Sequence, residues 1–171
     1  VFTVTGLRYD DGRRFLRAPL RDLFIEAAAE YNRVVMDGGP ICRASCSDVF
    51  QLDNRRFDLV YLDPPYAPPR DDNDYIKRYH FLEGLSVYWR GQTIMPGTMT
   101  KKLGKRFTPF AYKRTIRGAL LALFERFADS TIVVSYSTNS VPPEDEVIAL
   151  LRKVKGHVDV YAVEHRYSFG T

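Results

Sequence analysis

The 171-residue sequence contains few of the side chains that form covalent or metal-centred scaffolds. It has two cysteines, Cys42 and Cys46, and three histidines. Two cysteines are too few for a disulfide framework, and no further ligands stand at the spacing of a zinc site. The sequence therefore predicts reduced thiols, no bound metal and a cytoplasmic location.

Long apolar runs and low-complexity stretches are also missing. No apolar segment reaches the roughly 18 residues that cross a bilayer, and residues 1–5 do not resemble a secretion signal. We therefore expect no membrane partner. Hydrophobic residues make up 45% of the chain and charged residues 27%, which excludes intrinsic disorder. The net charge of +4 permits a polyanionic partner without requiring one.

The apolar periodicity predicts alternating helices and strands. Helices are expected over residues 19–37, 74–88, 108–128 and 142–155, and strands over residues 41–46, 57–62, 131–136 and 158–167. A Gly-rich basic loop is expected between Arg90 and Arg106. This alternation predicts an α/β fold with a doubly wound, mostly parallel sheet. In such sheets ligands bind beyond the carboxyl ends of the strands.

One segment at such a strand end carries a strong chemical signal. The apolar run 57–62 is followed by Asp63, Pro64, Pro65 and Tyr66. Two prolines fix the backbone and remove two N–H donors, which leaves a stiff corner with a carboxylate, carbonyl acceptors and an aromatic ring. These groups can accept hydrogen bonds from a planar amine and stack on its heterocycle. A plain Pro-rich turn with an exposed aspartate is the structural alternative.

Residues 57–66 resemble the catalytic motif of the adenine-specific DNA methyltransferases of the Dam type. Residues 74–83, 134–142 and 166–171 are similar to later segments of the members associated with restriction-modification. Residues 46–50 resemble the turn that contacts the adenine of the methyl donor. The resemblance covers about residues 40–171. It implies a Rossmann-like, S-adenosylmethionine-dependent methyltransferase fold with a closing antiparallel hairpin.

The chain departs from this family in its donor-binding glycine motif. An aromatic residue followed by Gly-x-Gly after a first strand is not present, and Gly38-Gly39 follows a helix, so we interpret it as a helix stop. We therefore expect part of a longer enzyme. Residues 1–18 would be the tail of a recognition or insert region, and residues 19–171 an incomplete catalytic domain.

The resemblance implies methyl transfer from S-adenosylmethionine to the exocyclic amino group of adenine in double-stranded DNA, with the base flipped out of the duplex. It assigns catalysis to the corner at residues 63–66. It assigns donor binding to the turn at residues 46–50, which we call the acidic turn. The catalytic residues are Asp63, Pro64, Pro65 and Tyr66, and the donor-binding residues are Asp48, Val49, Phe50 and Asp63. Two structural alternatives remain open: Asp48 capping its own turn, and Phe50 packing in the core.

Nucleic-acid contacts are expected from a basic stretch and from the end of the chain. The residues concerned are Lys101, Lys102, Lys105, Arg106, Tyr167 and Phe169. The cations would contact DNA phosphates, or form a solvated loop. The two aromatic residues would hold the flipped base, or pack within the hairpin. A cognate restriction endonuclease is a further implied partner, and the oligomeric state stays open.

Two other functions compete with this interpretation. RNA guanine methyltransferases have a related Asp-Pro-Pro-aromatic motif, although the Tyr-rich helix after the motif and the Ser135-Tyr136-Ser137 strand end favour the DNA enzymes. A non-catalytic nucleic-acid-binding module is the other alternative, because the glycine motif is absent.

Overall fold

The computed structural model describes residues 18–36, 39, 41–53, 56–65, 67, 79–97, 99, 101–104 and 106–164. The helices and strands of these residues are α1 (Leu20–Val34), β1 (Leu59–Leu62), α2 (His80–Ser86), α3 (Ile116–Arg126), β2 (Thr131–Val134) and α4 (Glu144–Arg152). Short 3-10 helices lie at Val49–Gln51 and Pro109–Ala111.

The chain divides into two compact units. The first contains α1, which begins directly after Pro19, a residue whose φ of −57° is already suited to a helix. None of the described side chains of α1 is buried. The second unit contains the other helices and both strands. The predicted boundary between residues 18 and 19 stays a prediction, because residues 1–17 lie outside the described residues.

The second unit is built on two parallel strands, β1 and β2, which pair in register from Leu59 with Thr131 to Leu62 with Val134. Helices α2 and α3 lie between these strands along the chain, as a parallel connection requires. Because the pairing is parallel and in register, both strands end at the same edge of the sheet. The predicted α/β class is thus confirmed for the described part of the chain.

The core lies on one face of this sheet. Side chains alternate along β1, so Val60 and Leu62 pack into the core while Leu59 and Tyr61 remain exposed. Helix α3 covers the inner face with fully buried Ile116, Leu120 and Phe124. Burial of each such side chain contributes about 1.5–3 kcal/mol to folding. This packing fixes the sheet against α3.

Two predicted strands are not formed by the described residues of their ranges. Residues 41–46 and 158–164 adopt no regular structure, and residues 165–171 lie outside the described part of the chain. Apolar alternation indicates which face a strand would bury, but a strand also needs a neighbour to pair with its backbone groups. The predicted strand over 41–46 is therefore wrong, and the closing hairpin is not found among the described residues.

Helix α2 ends in a tight turn on which a tryptophan folds back. The Trp89 backbone N–H donates to the Gly84 carbonyl at 2.7 Å, and the Trp89 ring packs directly on Gly84. A Cβ at Gly84 would lie 2.2 Å from Nε1 of that ring. Tyr88, Trp89 and Gly91 have φ values of 52°, 55° and 68°. Only a glycine at position 84 permits this approach.

We expect Gly84→Ala to lower the free energy of unfolding by about 1–3 kcal/mol, since the added methyl group must displace the Trp89 ring. Gly118→Ala is the matched control. It adds the same methyl group inside α3, where nothing lies within 4 Å of the new Cβ. Gly118→Ala should leave stability unchanged or raise it by up to about 1 kcal/mol. Urea denaturation of both variants measures the difference, and equal losses would contradict the packing.

An ion pair links α3 to the start of α4. Arg117 donates from Nε and Nη2 to the two carboxylate oxygens of Glu146, at 2.5 and 3.0 Å. The hydrogen bond from Arg117 lowers the pKa of Glu146 below its ordinary value. A lowered pKa means that the pair stabilises the fold above the ordinary carboxyl pKa, and that this contribution is lost as the pH falls through the lowered value.

We expect Glu146→Gln to lower the thermal midpoint at pH 7, and the difference from the parent protein to disappear at acid pH, where Glu146 is protonated in both states. Raising the salt concentration should also shrink it, because the pair is exposed. Glu144→Gln removes a charge from the same helix end and serves as the control. A difference that persists at acid pH would rule out the ion pair as its source.

Candidate functional site

The site predicted from the sequence begins at the shared carboxyl edge of the two strands. The Ser135 N–H donates to the Leu62 carbonyl at 2.9 Å, which continues the strand pairing by one residue beyond Val134. Asp63 follows immediately and is exposed, whereas Pro64 is buried and Pro65 is half-buried. Burial of Pro64 costs little because proline has no N–H that would need a partner. The carboxylate of Asp63 therefore stands at the rim of a fixed backbone.

The far end of this corner is fixed as well. Ala67 is fully buried, and its carbonyl accepts a hydrogen bond from the Val141 N–H at 2.8 Å. Residues 62 and 67 are thus both bonded to the segment that follows β2. Tyr66, the aromatic residue predicted for this corner, lies outside the described residues. The segment 62–67 is therefore attached at both ends, with Asp63 accessible from solvent.

The acidic turn predicted to bind the methyl donor forms a 3-10 helix. The Phe50 N–H donates to Oδ1 of Asp48 at 2.9 Å, so Asp48 caps its own turn. Val49 and Phe50 are half-buried, and the Phe50 ring stacks on Phe110 with ring centres 6.0 Å apart. Nη1 of Arg126 donates to the Phe50 carbonyl at 3.0 Å. Both structural alternatives for this turn are therefore observed, and its part in donor binding stays a prediction.

The basic stretch predicted to contact DNA forms a closed loop. Ile94 and Leu103 make an antiparallel bridge, flanked by a hydrogen bond from the Gly104 N–H to the Thr93 carbonyl at 3.0 Å. Nζ of Lys101 donates to the Pro96 carbonyl at 2.6 Å, and Nη2 of Arg106 donates to Oε1 of Gln92 at 2.9 Å.

The cations of this loop differ in exposure. Lys101 and Arg106 are exposed, and Lys102 is half-buried. Lys105 lies outside the described residues, as do Tyr167 and Phe169. The structure thus brings Lys101, Lys102 and Arg106 into one loop, where two of them also fix the loop's conformation.

Sequence reasoning assigned no role to Tyr136, which lies two residues beyond β2. Its hydroxyl donates to the Pro142 carbonyl at 2.8 Å. Burial of the ring raises the pKa of Tyr136 to about 12, although the nearby Arg117 acts in the opposite direction. The sequence feature that could have indicated this bond is Tyr136 itself, which stands between two serines directly after the apolar run 131–134 and six residues before Pro142.

The described residues give no indication of a metal centre or a membrane segment. No group of three or more His, Cys, Asp or Glu side chains is placed to bind a metal ion within the described ranges. None of the described helices has the length and apolar character needed to cross a membrane. Cys42 and Cys46 are exposed and unbridged.

Comparison with curated proteins finds relatives of one kind. The modification methylase LlaI of Lactococcus lactis subsp. lactis is 30% identical over 64% of this chain and 17% of its own length. The type II methyltransferase M2.HphI of Haemophilus parahaemolyticus is 28% identical over 84% of this chain and 39% of its own length. The type II methyltransferase M.FokI of Planomicrobium okeanokoites is 30% identical over 56% of this chain and 14% of its own length.

The chain thus spans less than two fifths of the length of each of these relatives. No protein-family model matches it, and no solved structure matches it. The resemblance predicted from the residues around Asp63 agrees with the relatives found across the chain. By its sequence, the chain is a relative of the DNA methyltransferases of restriction-modification systems.

Proposed function

We propose that this chain supplies the target-base corner of an adenine-specific DNA methyltransferase. The observation that carries the proposal is the position of Asp63-Pro64-Pro65 at the shared carboxyl edge of β1 and β2, with hydrogen bonds to Leu62 and Ala67 fixing both ends. Ligands of parallel α/β sheets bind at this edge. The relatives, which are named methylases and type II methyltransferases, support the same reaction class.

The corner offers acceptors that suit an adenine amino group. The exposed Asp63 carboxylate accepts from one amino hydrogen, and the Pro64 carbonyl accepts from the other. These bonds orient the nitrogen lone pair and favour the positive charge that the nitrogen gains as it bonds to the methyl carbon and the carbon–sulfur bond of the donor breaks. The nitrogen then releases one of its protons to solvent. The base must leave the duplex to reach the corner. Tyr66 would stack on the flipped ring.

The residues of the acidic turn fit the adenine portion of S-adenosylmethionine. Asp48 is exposed, so its carboxylate retains acceptor capacity beyond the capping bond to Phe50, and the Phe50 ring is only partly buried. When bound, S-adenosylmethionine supplies an electrophilic methyl group on a sulfonium that leaves as a neutral thioether. Asp48 and Phe50 would bind it, while Asp63 lies at the strand edge where the two substrates meet.

The same proposal implies a complete sheet, a domain division, a cellular location and partners for the protein. Strands β1 and β2 would be neighbouring strands of a doubly wound, Rossmann-like sheet that closes with an antiparallel hairpin. Residues 19–171 would belong to the catalytic domain, and residues 1–18 to a recognition or insert region. The protein would act in the cytoplasm on double-stranded DNA, beside a cognate restriction endonuclease. Tyr167 and Phe169 would help to hold the flipped base.

The full-length gene product should form N6-methyladenine in double-stranded DNA, and Asp63→Asn should lower the rate by about 100-fold, since the amide keeps one oxygen acceptor but loses the negative charge that favours the developing positive charge on the nitrogen. Asp58→Asn is the matched control, because it makes the same change at the opposite end of β1, where the side chain is also exposed. Mass spectrometry of digested nucleosides measures the product.

Structured RNA is assayed in parallel with the DNA. Methylation of guanine in RNA would replace the proposal with the RNA enzyme, and DNA binding without any methylation would support a non-catalytic module. Equal rates for Asp63→Asn and Asp58→Asn would overturn the role of Asp63.

The basic loop should contribute a sequence-independent part of DNA affinity. We expect Lys101→Ala with Arg106→Ala to weaken binding of duplexes of unrelated sequence by similar factors, and to reduce the slope of log K against log salt by about two. Arg152→Ala with Lys153→Ala removes two exposed cations at the end of α4 and serves as the control. Fluorescence anisotropy at several salt concentrations measures both slopes, and identical slopes for the two double variants would contradict the assignment.

A further inference from the structure

We propose that Tyr136 is a positioning residue, which sets the Asp63 corner in place through the segment that follows β2. The inference rests on the proposed function, since the corner has a catalytic role only in a methyltransferase. It concerns a residue whose hydroxyl bonds to the backbone of the protein itself. Two hydrogen bonds connect Tyr136 to the corner through the Val141–Pro142 backbone: the Tyr136 hydroxyl donates to the Pro142 carbonyl, and the Val141 N–H donates to the Ala67 carbonyl.

The segment between β2 and α4 meets the corner at two points. The Ser135 N–H bonds to the Leu62 carbonyl, before Asp63, and the Val141 N–H bonds to the Ala67 carbonyl, after Pro65. The first bond is supported by the strand ladder, because it follows the last residue pair of β1 and β2. The second bond is separated from that ladder by an exposed turn at Thr138 and Asn139. Its geometry therefore depends on how this turn is closed.

Tyr136 closes that turn. Its hydroxyl donates to the Pro142 carbonyl at 2.8 Å, which links the two ends of the turn across six residues. Pro142 is fully buried, so the acceptor end of the link is fixed in the core. Burial raises the pKa of Tyr136 to about 12, so its hydroxyl is a donor at neutral pH.

Few other contacts between described residues hold the turn between Tyr136 and Pro142 closed. Ser140 is buried, but its Oγ has no hydrogen-bond partner among the described residues. The ion pair between Arg117 and Glu146 and the hydrogen bond from the Val147 N–H to the Pro143 carbonyl fix the start of α4, beyond Pro142. Val141 lies between this fixed helix start and the exposed turn. Loss of the Tyr136 hydroxyl would release the turn while α4 and the strand ladder remain.

Tyr136→Phe tests the inference, because it removes the hydroxyl and retains the ring. Tyr161→Phe makes the same change at an exposed tyrosine and is the control. Hydrogen exchange followed by NMR should show the Val141 amide exchanging about fivefold faster in Tyr136→Phe, the loss expected for one hydrogen bond, while the Ser135 amide is unchanged. In the full-length gene product, kcat should fall by about fivefold at an unchanged KM for S-adenosylmethionine.

The outcomes distinguish a role of Tyr136 in positioning the Asp63 corner from a role in stabilising the turn alone. Faster exchange at Val141 with an unchanged kcat would show that Tyr136 only stabilises the turn, which overturns the positioning role. Equal exchange at Val141 in the two variants, or equal acceleration at Val141 and Ser135, would overturn the link itself. A parent protein that methylates no adenine would overturn the proposed function and the catalytic part of this inference, whereas the exchange data would still report on the link.

Discussion

The parallel pairing of β1 with β2 is the constraint on which the rest of the second unit depends. In-register pairing brings the ends of both strands to one edge, and the bond from Ser135 to Leu62 extends the pairing past the last strand residues. Two segments start from that edge, because the chain leaves it once into the Asp63 corner and once into the Tyr136 turn. Neither segment has regular structure, so each takes its position from the strands.

The two prolines explain how an irregular corner can be attached so firmly. A loop that enters a protein interior normally carries N–H groups that need partners. Pro64 enters without one, and the chain then returns to the interior at Ala67, where the carbonyl has a partner in Val141. The exposed Asp63 lies between two buried residues, Leu62 and Pro64, which fix its backbone position.

The sequence predicted the long, strongly patterned elements and the position of the corner. Helices α1, α3 and α4 and strands β1 and β2 lie within their predicted ranges, although the apolar side chains of α1 are not buried in the described residues. The strand predicted over 41–46 was wrong because periodicity does not show whether a pairing neighbour exists. The Tyr136 link was missed because a hydrogen bond between a side chain and a backbone carbonyl six residues away leaves no periodic signal. The fold of Trp89 onto Gly84 was missed for a similar reason.

The contrast in exposure between neighbouring positions 63 and 64 has an evolutionary consequence. Selection on position 64 acts through folding, because a residue with an N–H would bring an additional donor into the interior. In the proposed methyltransferase, selection on position 63 acts through the reaction, because its side chain is exposed. A lineage that no longer needed the reaction could therefore lose Asp63 by drift while keeping Pro64. In the proposed methyltransferase, the two positions together would indicate whether a descendant still carries out the reaction or only retains the fold.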